Sequence, residues 1–183
     1  MHRVTTSVLA AVLFSSASFA AEVDLQNAFP GLPAFSFPTE LRDPMDGPNR
    51  LFMCEKAGAI WVFDNDAAVT TKKLFMDLTP YVNSEWECGL LGLEFDPGYD
   101  STGVFYAFYT TSGALTSRLS RFHVSASDPD LGDLGSEEVL LEIPQTNFCH
   151  KSGCLQFGPD NYLYVTGGDD CQGWPGQDRS VLT

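Results

Sequence analysis

The sequence is short of positive charge. Its 183 residues include 10 Lys and Arg against 24 Asp and Glu, a formal net charge of −14. Such a surface repels phosphate backbones and anionic lipid, which excludes nucleic acid and anionic membranes as partners. Long hydrophobic runs are missing too. A membrane-spanning helix needs about 20 consecutive apolar residues. The run from Val8 to Phe14 is far shorter, and no later segment approaches that length, so no membrane anchor is expected. Helix signals are nearly absent after residue 20. No Cys-x-x-Cys pair occurs, which removes the usual zinc-site spacing. Histidine is scarce as well, limited to His2, His123 and His150.

What is present begins with an export pattern. Arg3 supplies a positive start, Val8–Phe14 an apolar stretch, and Ser18-Phe19-Ala20 the small residues of a cleavage site. Residues 1–20 therefore read as a signal peptide cleaved after Ala20, and the mature chain as secreted, extracellular or periplasmic. Cleavage removes Arg3 and no acid, leaving 9 basic against 24 acidic residues, a net −15. The five cysteines, Cys54, Cys88, Cys149, Cys154 and Cys171, are disulfide candidates in an exported chain. An odd number leaves one free or paired beyond the chain, and spacing alone does not set connectivity.

The chain is 44% hydrophobic and 13% aromatic, a composition suited to packed strands. Strand-length runs lie between turn clusters. They are Arg50–Glu55, Ala59–Phe63, Leu90–Phe95, Val104–Thr110, Ser117–Val124, Glu138–Ile143, Cys154–Phe157 and Tyr162–Thr166, with a hairpin turn at Glu55–Gly58. A repeat runs through them. Leu41-Arg-Asp-Pro44 leads to Arg50-Leu-Phe52, Leu93-Glu-Phe-Asp-Pro97 to Val104-Phe-Tyr106, and Leu155-Gln-Phe-Gly-Pro159 to Tyr162-Leu-Tyr164. Four-stranded units at a spacing of roughly 40–60 residues are the pattern of propeller blades, which bury their faces only by stacking on neighbours. An all-β propeller is therefore expected over residues 21–183 as one domain, with a small β-sandwich as the alternative. Propellers close with about four to eight blades, and this length supplies two and a half to three, so a fragment of a longer propeller is expected.

The ordered segments Ala28–Leu32, Asn49–Phe52, Gly58–Asn65, Glu87–Leu93, Ser117–Phe122 and His150–Asp160 together resemble the N-terminal half of the glucose/sorbosone dehydrogenase family. That resemblance implies a six-bladed β-propeller with its site at the mouth of the central channel. It implies a quinoprotein that oxidises the C1–OH of an aldose sugar with pyrroloquinoline quinone and calcium. The contacts to both cofactors are expected beyond Thr183. The family also includes Hedgehog-interacting-protein relatives, so a non-catalytic extracellular binding module is the alternative.

The reaction needs a base whose proton affinity lies near neutrality, and imidazole meets that need. His150 matches the family's base. His2 lies in the signal peptide, and His123 sits in an alternating strand as an exposed or edge residue. Asp169, in Thr166-Gly-Gly-Asp-Asp170, matches the acid that orients the base, though the sequence does not separate it from Asp170. Glu87 matches a position that contacts the sugar or the base. Trp86 beside it is suited to stacking on a sugar face or to the core. Asp169, Asp170 and Asp178 offer oxygens without EF-hand spacing, and no metal site is assigned within the chain. Two departures stand out. Lys151 replaces the usual Asn or Gln after the histidine, and Cys149 and Cys154 flank the turn as candidates for a local disulfide. Both weigh against glucose as the substrate.

Overall fold

The computed structural model describes residues 24–172. Among these residues ten strands form three antiparallel sheets, with one single-turn helix between strands. The first sheet is β1 (Pro38–Arg42), β2 (Arg50–Glu55), β3 (Ala59–Asp64) and β4 (Lys73–Asp77), hydrogen-bonded in chain order. The second is β5 (Leu90–Phe95), β6 (Val104–Thr110), β7 (Thr116–Ser125) and β8 (Asp128–Pro144), also in chain order, with α1 (Tyr99–Thr102) between β5 and β6. The third consists of β9 (Leu155–Phe157) and β10 (Leu163–Val165). The expected signal peptide and Asp178 lie outside the described residues.

Period-two patterning builds these sheets. In β2, Arg50, Phe52 and Cys54 are buried while their neighbours are only half-buried. The predicted turn closes the β2–β3 hairpin, with Gly58 N–H donating to Glu55 O at 2.9 Å. Two strands differ from expectation. The sequence pattern predicts no strand at β4, whose ends Lys73 and Asp77 are polar and exposed. It is held by pairing with β3 and by burial of Phe75 and Met76. For β8 the pattern predicts only Glu138–Ile143, but the strand runs for 17 residues. Its first half, Asp-Pro-Asp-Leu-Gly-Asp-Leu-Gly, has the composition of a turn. Pairing with β7 carries it into the sheet through register shifts at three places. Here cross-strand contact overrides local preference.

The first two sheets face one another across a ladder of aromatic rings. Phe52 meets Phe75 at 4.9 Å and Phe95 at 4.8 Å between centroids, Phe75 meets Phe105 at 5.1 Å, and Phe105 stacks on Phe122 at 5.6 Å. Each of these rings is buried. Burial of each stabilises the fold by about 1.5–3 kcal/mol, which makes this interface the main core. A smaller cluster of Phe108, Leu119 and Leu155 joins the second sheet to the third.

The first strands of the three sheets lie side by side. Thr39 Oγ1 donates to Leu90 O at 2.7 Å, and Arg42 donates from Nε to Leu93 O at 3.0 Å and from Nη2 to Leu155 O at 2.7 Å. One guanidinium thus ties β1 to β5 and β9. Because strand direction alternates, the connections fall at two ends. The β1–β2, β5–β6 and β9–β10 turns share one end. The β2–β3, β4–β5 and β8–β9 loops and the segment after β10 share the other.

Candidate active site

At the second end, the β8–β9 loop carries His150. Its backbone is left-handed, with φ of +54°, a region that His tolerates better than most residues. Two neighbouring segments hold it. The β4–β5 loop approaches from one side: Glu87 N–H donates to Phe148 O at 3.1 Å, and the Glu87 carboxylate accepts the His150 backbone N–H at 2.5 Å. The segment after β10 approaches from the other: His150 Nδ1 lies 2.7 Å from Asp169 Oδ1. A carboxylate only accepts, so this contact assigns the ring proton to Nδ1 and leaves the lone pair on Nε2. The imidazole side chain is 58% exposed and that of Asp169 29%. The imidazole is therefore open to solvent while the Asp169 carboxylate is partly shielded.

Glycines permit this convergence. A Cβ on Gly168 would lie 1.5 Å from His150 O, so only glycine lets the two segments pass. Gly153, at φ +141°, brings the end of the loop against Leu91 of β5, where a Cβ would lie 2.6 Å from the Leu91 Cβ.

The structure separates the two aspartates that the sequence could not. Asp169 faces His150, whereas Asp170 is buried and engages Lys151. The Lys151 side chain is fully buried and also donates to Gln145 Oε1 at 2.8 Å. Asp170 accepts from Thr146 N and Thr146 Oγ1, both at 2.7 Å, and from Asn147 N at 3.0 Å. Burial alone would raise the Asp170 carboxyl. The hydrogen bonds from Lys151, Thr146 and Asn147 outweigh it and hold the group well below the usual carboxylate range.

The disulfide expectation is corrected. Cys149 bonds Cys171, with Cα atoms 5.7 Å apart, and Cys154 is free and exposed. Cys154 cannot turn back toward Cys149 because its backbone already pairs with Thr166: its N–H donates to Thr166 Oγ1 at 3.0 Å, and its carbonyl accepts from Thr166 N at 3.1 Å. Cys54 and Cys88 are free and buried.

Glu87 thus joins His150 and Asp169 in one cluster. Trp86, next to Glu87, is 81% exposed, so it lies outside the core, and its carbonyl accepts from Lys56 Nζ. His123 is exposed on β7, paired in register with Val104, toward the opposite end. Among the described residues no group of three or more His, Cys, Asp or Glu could hold a metal ion. Nor is any described helix long and apolar enough to cross a membrane. Sequence reasoning missed Lys151–Asp170 and the Cys149–Cys171 bond. The one available signal was a lysine departing from the family pattern beside a histidine, opposite two adjacent acids.

The sequence profile of the glucose/sorbosone dehydrogenase family matches residues 35–182. The chain belongs to this family. The human Hedgehog-interacting protein is 33% identical over 136 residues, a match covering 68% of this chain and 19% of that protein. The HIPL2 protein of Arabidopsis thaliana is 23% identical over 168 residues, covering 68% of this chain and 24% of that protein. Among solved structures, a glucose dehydrogenase-type oxidoreductase from Thermus thermophilus aligns with TM-score 0.62 at 28% identity, covering 75% of this chain and 38% of that one. The PQQ-bound aldose sugar dehydrogenase of Streptomyces coelicolor shares the fold with TM-score 0.64 at 24% identity, covering 77% and 40%. The chain thus spans about a fifth to a quarter of the length of these curated relatives and about two fifths of the solved family folds. The antiparallel sheets are blades of a β-propeller: two of four strands each, and two strands of a third.

Proposed function

We propose that these blades belong to a secreted quinoprotein that oxidises the C1–OH of an aldose, with His150 as the base. The observation that carries this reading is the His150–Asp169 contact at 2.7 Å on an exposed imidazole, placed where three loops of the propeller end meet. Nε2 takes the hydroxyl proton, and Asp169 stabilises the imidazolium that results. Glu87 holds the loop through the His150 N–H, and its exposed carboxylate, with the exposed Trp86 ring, provides contacts for a sugar. Pyrroloquinoline quinone, when bound, supplies the acceptor for the C1 hydride.

The described residues do not clamp that tricarboxylate. The lysines of this loop cluster, Lys56 and Lys151, are committed to Trp86 O and to Asp170. Proton handling and sugar contact are therefore the roles of this chain's own residues. The activity is proposed for a complete propeller carrying these blades. Export is supported by the N-terminal pattern and by the Cys149–Cys171 disulfide.

The test supplies such a propeller with pyrroloquinoline quinone and calcium and follows dye reduction across a panel of aldoses. The expected result is sugar-dependent reduction that His150→Ala abolishes. No reduction with any sugar, together with no bound-quinone spectrum, would overturn the reading. A second reading, a non-catalytic extracellular binding module, is favoured by the identity of 33% to the Hedgehog-interacting protein. It predicts that negative outcome with the fold intact.

A further inference from the structure

Three consecutive residues of the β8–β9 loop are each tied to one of three consecutive residues after β10. Cys149 bonds Cys171, His150 meets Asp169, and Lys151 meets Asp170. Asp169 and Asp170 are adjacent and carry the same functional group. An exchange of partners would bring Asp170 to His150 and Asp169 to Lys151. Nothing in the chemistry of imidazole distinguishes the two acids. The choice is made elsewhere, at Asp170, whose buried carboxylate is saturated by Thr146, Asn147 and Lys151.

We infer that Lys151 is a positioning residue: its buried pair with Asp170 fixes the register that places Asp169, and not Asp170, on His150 Nδ1. The physical case rests on asymmetry. A buried ion pair adds little net stability, yet breaking it strands a desolvated charge, so its best-attested role is to specify register. The Lys151 side chain has no exposure. That exchange would leave its ammonium facing an acid without the Thr146 and Asn147 donors that steady Asp170. The backbone adds to the penalty: His150, Asp170 and Cys171 sit at φ of +54°, +52° and +59°, so a shifted register would place different residues in left-handed positions. The Cys149–Cys171 bond ties the same two segments together on the other side of the histidine.

The kinetic consequence rests on the proposed dehydrogenase reading, but the spectroscopic one does not. The test records the ¹⁵N signals of the His150 ring in the intact chain, comparing wild type with Lys151→Met, Lys151→Arg and the charge-free double variant Lys151→Met/Asp170→Asn. Wild type is expected to hold the proton on Nδ1. The double variant, in which position 170 is no longer an acid, is expected to lose that single tautomer and give a mixture, whereas Lys151→Met keeps Nδ1–H on either acid and Lys151→Arg holds it as wild type does. Retention of the pure Nδ1–H form in the folded Lys151→Met/Asp170→Asn variant, or in Lys151→Gln/Asp170→Asn if the first does not fold, overturns the inference. In a dye-reduction assay, Lys151→Met should lower kcat by about 100-fold with little change in KM. If wild type oxidises no sugar while the tautomer changes appear as stated, the dehydrogenase reading fails and the register assignment stands.

Discussion

The two ends of the blades are built by different means. At the turn end, each connection is made by residues close in sequence. Asp43 Oδ1 accepts Met45 N–H at 2.8 Å, Asp96 Oδ1 accepts Gly98 N–H at 2.9 Å, and Asp160 Oδ1 accepts Tyr162 N–H at 3.2 Å. The same aspartate device recurs, whether the Asp precedes the proline or follows it. At the site end, the decisive contacts span 63 residues from Glu87 to His150, 19 from His150 to Asp169 and 22 across the disulfide. A local turn needs only its own sequence. A site assembled from three loops needs the blades stacked first.

That contrast gives predictions of decreasing size. The largest concerns chemistry alone. His150→Ala should lower aldose-dependent turnover by about 10²–10⁴-fold. Its melting temperature should stay near wild type, because the imidazole is mostly exposed. Calorimetry and the dye assay on one preparation measure both, and a large loss of stability would show that His150 is structural. Next, the double variant Cys149→Ser/Cys171→Ser should destabilise the fold by about 3 kcal/mol, the cost expected for releasing a loop of this length. Urea unfolding under oxidising conditions reads this, with reduced wild type as the matching control.

Acid should separate the ends as well. Asp170 is held below its usual range when folded, so its stabilising contribution is present above the ordinary carboxylate value of about 4 and is lost as pH falls beneath it. Hydrogen exchange should show the Thr146 and Asn147 amides losing protection as pH falls from about 4, before the β2–β3 ladder does. The smallest effect is expected at the turn end. Asp96→Ala removes the Gly98 hydrogen bond and should cost about 1 kcal/mol with turnover unchanged.

The same contrast explains what could be read from the sequence. The Pro-and-aromatic repeat was legible because each turn repeats its own local chemistry, and β2, β3, β5, β6 and β7 follow from alternation and aromatic content. β4 and the first half of β8 were not legible, since their sequences carry lysine, aspartate and glycine and only partner strands make them extended. In the site, His150, Asp169 and Glu87 could be named from a family resemblance, and the structure brings them together. The division of labour between Asp169 and Asp170 was out of reach, because it depends on which of two adjacent acids meets a buried lysine. The disulfide was out of reach for a similar reason: proximity in sequence favoured Cys154, whereas Thr166 holds Cys154 away.

One chemical change made at both ends tests the central claim most directly. Asp169→Asn and Asp43→Asn each replace one carboxylate oxygen by an amide, and aldose-dependent dye reduction is compared between them. An amide at position 169 competes for the wrong imidazole tautomer, so turnover is expected to fall by about 100-fold or more. Asp43→Asn should stay within about twofold of wild type. Equal turnover in the two variants, with both folded, would contradict the assignment of His150 and Asp169 as the working pair.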